Sequence, residues 1–325
     1  MIYTSADLEK KINEVIEKLD FDRKPKSLFE PIAYILSLGG KRLRPILAYM
    51  ATNLFSNNLE KTTAPAIGLE IFHNFSLLHD DLMDNASVRR GEKTVHTKWD
   101  DNTAVLSGDA MLIDAYRYIM KVDIDVLPRI LDVFTATAMQ VCEGQQYDMD
   151  FEKRLNVDES EYIEMIRLKT AVLLASSLKI GAILGNASSE DANRLYDFGI
   201  NIGIAFQLKD DLLDVYGNPI EFGKNIGGDI LCNKKTFLLI KALENSNKAQ
   251  EKTLQDLISA ANFDSEAKIS AVKEIYDDLK LENLTNKLIQ KYYLAALSCL
   301  SEVNVPDDRK QQLLIYTDKL MKREK

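Results

Sequence analysis

The chain has 325 residues, a formal charge of −9 and 46% apolar residues, enough to bury a sizeable core in one large domain or two smaller ones. Only 14 glycines and 7 prolines favour long helices over a strand-rich fold. The acidic balance leaves no footprint for nucleic acid, and no run approaches the roughly 18 apolar residues of a membrane span. Cys142, Cys232 and Cys299 lie far apart, and the start MIYTSADLEKKINEV lacks the apolar run of a signal peptide, which together predict a cytoplasmic protein with reduced thiols.

Leu8, Ile12, Val15, Ile16 and Leu19 recur at helical spacing ahead of Lys24-Pro25. Ser27 to Ser37 reads as a second helix stopped by Gly39-Gly40, and Pro45 to Phe55 as a third. A long helix opens at Ala64-Pro65, with Pro65 in its first turn, and runs through Asp84. Further helices are predicted at 104–122, with Asp100-Asp101 at its start, and at 126–148, 160–184, 188–216 and 236–243. Several more follow from Gln250 onward. No strand alternation and no repeat of solenoid period appears. The prediction is an all-α chain forming one domain over 1–325.

Two stretches stand out within these helices. In LLHDDLMDNASVRRG, Asp80 and Asp84 share one helix face about 6 Å apart along the axis, with Asp81 rotated aside. Like charges at that spacing weaken a helix, so a cation is needed to compensate. Mg²⁺ suits the position because it takes one or two carboxylates and adds substrate phosphates. A solvated acidic stripe is the plain alternative, but the acids sit in apolar sequence. FQLKDDLLD then repeats the arrangement with Asp210, Asp211 and Asp214. Two acidic faces can hold several ions, and several ions imply a diphosphate. The cations agree: Arg89 and Arg90 offer planar guanidiniums that match phosphate oxygens. Lys41, Arg42 and Arg44 follow Gly39-Gly40, whose backbone lets amides approach an anion.

GGKRLRP, LLHDDLMDNASVRRG, EGQQYDM, LKTAVLL, FQLKDDLLD and GKNIGGDILCNKKT stand in the order found in the trans-isoprenyl diphosphate synthases. The chain resembles that family from Gly39 to Lys235. The resemblance implies a single large helical bundle of the isoprenoid synthase type with a central active-site cavity. It implies that an allylic diphosphate loses pyrophosphate, that isopentenyl diphosphate attacks the allylic cation, and that a proton then leaves. It assigns Asp80, Asp84 and Asp210 to about three Mg²⁺ ions, with Mn²⁺ able to substitute. Asp81, Asp211 and Asp214 would support the waters on those ions.

By the same resemblance, Arg89, Lys169, Lys224 and Lys234 grip the allylic diphosphate. Lys41, Arg44, His73 and Arg90 grip isopentenyl diphosphate, which needs no metal. Thr170 and Gln207 stand beside the cation, Gln145, Gln146 and Asp148 support the first cluster from a facing helix, and a homodimer is expected. Asp109, His79 and His96 are read as structural.

Phe75, five positions before Asp80, occupies the family's chain-length gauge, with Phe72 next below. One turn rises about 5.4 Å, close to one isoprene unit. An aromatic there, without the insertion typical of bacterial farnesyl diphosphate synthases, resembles geranylgeranyl (C20) synthases, with farnesyl (C15) next. Dimethylallyl, geranyl and farnesyl diphosphates are the expected primers. A class I terpene cyclase is the competing enzyme reading, but DDLLD and GGKRLRP speak against it. A non-catalytic subunit of a heteromeric synthase would carry eroded motifs, and these are intact.

Overall fold

The computed structural model describes residues 2–154, 156–217, 226–260, 262 and 264–322. Several helices start where the sequence supplies a cap. Thr4 and Asp7 form a reciprocal capping box ahead of α1 (Ser5–Ile16). This helix ends well short of Pro25. Beyond it the Asp20 carboxylate takes the Asp22 amide at 2.8 Å, a local bond that competes with helix. Next come α2 (Lys26–Ser37), α3 (Leu43–Phe55) and α4 (Glu60–Met83). α4 begins a turn earlier than Ala64 because Asn58 Oδ1 accepts from the Glu60 amide at 3.1 Å, so Pro65 lies inside it.

After α5 (Val95–Lys98), α6 (Asp101–Ile119) is capped by Asp100, which accepts from the Thr103 amide. α7 (Leu127–Glu152) and α8 (Glu159–Ile166) follow. The single helix predicted over 160–184 is interrupted by a π-turn, Arg167–Ala171, where the Val172 amide reaches back five residues to the Arg167 carbonyl. α9 (Val172–Leu184) and α10 (Ser189–Tyr216) complete this stretch. Beyond it lie α11 (Gly228–Leu231), α12 (Phe237–Asn245), α13 (Lys248–Ser259), α14 (Ser265–Asp278), α15 (Leu281–Ser301) and α16 (Asp307–Met321). Among the described residues the one β element is an antiparallel hairpin, β1 (Val88–Arg89) with β2 (Glu92–Lys93).

The described residues sort into two compact units built from alternating segments. The first comprises Met1–Ala138, Leu173–Tyr196 and Glu302–Ile315, and α4 packs along α6 within it. Its core is made of fully buried Tyr49, Phe72, Phe134, Ile32 and Ile46. The second comprises Met139–Val172, Asp197–Ser301 and Tyr316–Lys325, around buried Phe151, Tyr162, Leu208, Phe237 and Tyr276. Each such side chain contributes about 1.5–3 kcal/mol by leaving water.

Candidate active site

In the first unit, the C-terminal end of α4 presents the first acidic cluster. The Asp84 amide bonds the Asp80 carbonyl at 2.9 Å, which sets the two residues one helical turn apart. The helix then stops on Asn85, which takes the left-handed conformation (φ 52°), and the Ala86 amide closes back on the Asp81 carbonyl. The chain turns through the hairpin on Arg90-Gly91, both at positive φ, as a two-residue hairpin loop requires. That turn aims two guanidiniums. Arg89 pairs with buried Asp81, donating Nε–H to Oδ2 at 2.7 Å with Nη2 2.7 Å from Oδ1. Arg90 donates to the Gly39 carbonyl and lies over Gly40, where a Cβ would meet its guanidinium at 2.8 Å.

The GGKRLRP turn divides its three cations. Arg42 does not join an anion site. In a left-handed conformation (φ 49°) and 6% exposed, it turns inward to Glu70 Oε1 (2.7 Å) and the Leu36 carbonyl (3.1 Å). It acts as the buried anchor of the loop, and Glu70 is in turn held by Asn74 at 3.1 Å. Lys41 stays exposed. Arg44 Nη1 meets His73 Nε2 at 3.1 Å. Burial and then the charges of Arg44, Arg90, Arg89 and Arg42 hold the His73 pKa well below the usual imidazole range. The ring is therefore neutral, accepting from Arg44 at Nε2. The predicted metal-free group of Arg44, His73 and Arg90, beside Gly39-Gly40, is assembled here.

In the second unit, α10 carries the second cluster and the π-turn carries Lys169 and Thr170. Thr170 Oγ1 donates to Gln207 Oε1 at 3.0 Å, and Gln207 Nε2 donates to Asp211 Oδ1 at 2.8 Å. The other Asp211 oxygen accepts from the Tyr162 hydroxyl at 2.5 Å. Burial and then the nearby charge of Asp229 push the Asp211 pKa up to about 7. Burial and the Asp211 charge raise the Tyr162 phenol, which keeps its proton and donates. Lys169 Nζ sits 2.6 Å from Asp148 Oδ2, so Asp148 of the EGQQYDM segment pairs with a predicted phosphate-binding cation.

Asp214 Oδ2 accepts from the Asp229 amide at 3.0 Å, and the Gly227 amide bonds the Asp214 carbonyl at 2.7 Å. Lys234 Nζ stands 3.9 Å from Asp229 Oδ1. Lys224 lies outside the described residues. Sequence reasoning missed Asp229, Tyr162 and Glu70. For Asp229 the signal was present as an acid next to two glycines and just before Asn-Lys-Lys.

The donors suit a hard divalent cation, being carboxylate oxygens paired at i, i+4 with the middle aspartate of each triplet engaged by protein groups. Among the described residues no three carboxylate, imidazole or thiol groups converge. A bound ion would complete its shell from water and substrate phosphate, the mode Mg²⁺ favours.

The polyprenyl synthetase family model matches residues 25–279. A geranylgeranyl diphosphate synthase of Methanosarcina mazei is 41% identical over 240 residues, covering 73% of this chain and 74% of that protein. One from Saccharolobus solfataricus is 34% identical over 325 residues, covering 96% and 97%. A crystal structure of a geranylgeranyl pyrophosphate synthase matches with a TM-score of 0.94 at 40% identity and full coverage of both chains, 100% each. The chain belongs to the polyprenyl synthetase family. Its fold is the all-α isoprenoid synthase fold, and it is a prenyltransferase.

Proposed function

We propose that this prenyltransferase condenses isopentenyl diphosphate with dimethylallyl, geranyl or farnesyl diphosphate, giving geranylgeranyl diphosphate in preference to farnesyl diphosphate. One observation carries the reading: the middle aspartate of each triplet is held by protein partners, Asp81 by Arg89 and Asp211 by Tyr162 and Gln207. Asp80, Asp84 and Asp210 are then the carboxylates assigned to Mg²⁺, with Mn²⁺ as a substitute. Divalent ions held by these carboxylates would supply Lewis-acid neutralisation of the charge on departing pyrophosphate.

The chain's own groups do the rest. Lys169 and Lys234 already neighbour carboxylates and exchange these for the oxygens of the allylic diphosphate, while Arg89 keeps Asp81 and offers its remaining N–H donors; Lys224 joins them on the sequence resemblance alone. Lys41, Arg44, neutral His73 and Arg90 bind the isopentenyl diphosphate. Thr170 and Gln207 supply oxygen dipoles to the allylic cation while the new carbon–carbon bond forms. The proton lost from the adduct passes to released pyrophosphate. Asp214 positions the Asp229–Lys234 loop through the Asp229 amide.

Phe75 as the length gauge is supported by its burial and by its ring contacts with Phe72 (5.5 Å) and His79 (4.8 Å). A homodimer is supported by α6, which exposes Leu106 and Ile113 on one face and Met120 just beyond its end, spaced seven residues apart. A cytoplasmic location is supported by the wide separation of Cys142, Cys232 and Cys299 along the sequence. No helix among the described residues is long and apolar enough to cross a membrane. Chelation tests the core of the proposal. Excess EDTA should abolish turnover, and Asp80→Ala and Asp210→Ala should each lower kcat by orders of magnitude. Full activity in EDTA would refute it.

A further inference from the structure

The π-turn Arg167–Ala171 is approached from two helices at glycine. A Cβ on Gly144 of α7 would lie 2.3 Å from the Lys169 amide nitrogen and 2.7 Å from Leu168 C and Lys169 Cα. A Cβ on Gly203 of α10 would lie 2.5 Å from both Cα and Cβ of Ala171. These are backbone atoms and a methyl, none of which can swing aside. Each helix reaches the turn only because it carries no side chain there.

Four residues beyond each glycine, one helical turn along the same face, stands a polar partner of the turn. Asp148 follows Gly144 and takes Lys169 Nζ at 2.6 Å. Gln207 follows Gly203 and takes Thr170 Oγ1 at 3.0 Å. The extra residue of the π-turn sends these two adjacent side chains to different helices. The Gln207 amide is further fixed by Asp211, which Tyr162 holds from its other side. Both flanking helices therefore offer the same arrangement, a seat for the backbone and then a stop for the side chain.

We infer that Gly144 and Gly203 are positioning residues for the reaction: their bare α-carbons set the depth at which the π-turn seats, and that depth delivers Lys169 and Thr170 to the substrate. This rests on the reading that Lys169 and Thr170 act on the allylic substrate. A methyl at either glycine would push the turn back by about an ångström, and a misplacement of that size costs on the order of 10²-fold in rate.

The test compares Gly144→Ala and Gly203→Ala with Gly181→Ala. Gly181 is an equally tight glycine in α9, whose Cβ would lie 2.1 Å from the Ala48 carbonyl oxygen, and none of its neighbours is assigned to substrate. Steady-state constants for both substrates are measured per folded enzyme, beside thermal melts. The first two variants should lose kcat on the order of 10²-fold while the KM for isopentenyl diphosphate stays within about twofold. Gly181→Ala should shift the melt and keep kcat.

Because a glycine substitution can prevent folding, Ala171→Gly loosens the same seat without a clash and should lower kcat roughly tenfold. In a Thr170→Val background the Gly203→Ala loss should shrink, as it must if Gly203 acts through Thr170. Loss of kcat in parallel with melting at all three glycines would overturn the inference. So would full kcat in Ala171→Gly. If Lys169→Met and Thr170→Val themselves kept full kcat, the underlying reading of the site would fall and the inference with it.

Discussion

Asp81 and Arg89 form a two-point ion pair, Nε to Oδ2 and Nη2 to Oδ1, each at 2.7 Å. The Asp81 side chain is 3% exposed and that of Arg89 is 25% exposed. The pair separates the roles of two aspartates that are neighbours in sequence. Asp81→Ala should behave as a structural lesion, near the low end of roughly 3–5 kcal/mol because Arg89 retains some water. Asp80→Ala should leave the melt nearly unchanged and lower kcat by orders of magnitude. Denaturation curves and turnover on the same two variants check this, and reversed phenotypes would reverse the assignment.

The two diphosphate sites should separate kinetically. If Arg44 binds isopentenyl diphosphate as proposed, Arg44→Ala removes a charge-assisted partner worth about 1.5–3 kcal/mol and should raise the KM for that substrate by roughly 10- to 100-fold. Lys234→Ala should act on the allylic KM instead. Initial-rate measurements with each substrate varied in turn distinguish the pattern.

Acid stability should depend on His73. Its folded-state pKa lies well below the ordinary 6.5 because of burial and then the Arg44 charge. Below pH 6.5 the unfolded chain therefore binds a proton that the folded chain does not. Stability consequently falls with acidification, by up to about 1.4 kcal/mol per pH unit, until the folded pKa is reached. His73→Gln keeps an acceptor for Arg44 and removes this proton uptake. Thermal melts at pH 7.5 and 5.5 should show a smaller loss for the variant than for the parent. An equal loss would mean that His73 does not titrate this way.

Product length should respond to Phe75. Its ring contacts Phe72, which meets Phe134 at 5.3 Å, and Phe134 meets Tyr116 at 4.9 Å, an aromatic series below the gauge. Phe75→Ala should lengthen the product by at least one isoprene unit, since each newly buried CH₂ contributes about 0.8 kcal/mol. Adding Phe72→Ala should lengthen it again, with Phe134 as the next barrier. If Phe75 serves only to pack the core, truncation costs roughly 3–5 kcal/mol and leaves the product unchanged. Chromatography beside a thermal melt separates the outcomes.

Helix positions were legible because apolar periodicity and caps are local signals: Asp100 and Thr236 cap the helices expected after them. The break at Arg167–Ala171 was not legible. It packs against Gly144 and Gly203 of two other helices, and the apolar pattern of LKTAVLL runs through it undisturbed. The aspartate triplets could be read as a pair of i, i+4 faces, yet the partner that engages each middle member is not set by spacing: Arg89 follows Asp81 across a hairpin, and Tyr162 reaches Asp211 from another helix. A run such as Lys41-Arg42 cannot reveal that one cation faces solvent and the next a buried glutamate. That division is set by the left-handed backbone at Arg42 and by Glu70.

The central claim is tested most directly by separating the products formed from farnesyl diphosphate and isopentenyl diphosphate with Mg²⁺. The account predicts consumption of isopentenyl diphosphate and accumulation of geranylgeranyl diphosphate, both abolished by EDTA. Release of a cyclic hydrocarbon from farnesyl diphosphate with isopentenyl diphosphate left intact would contradict it.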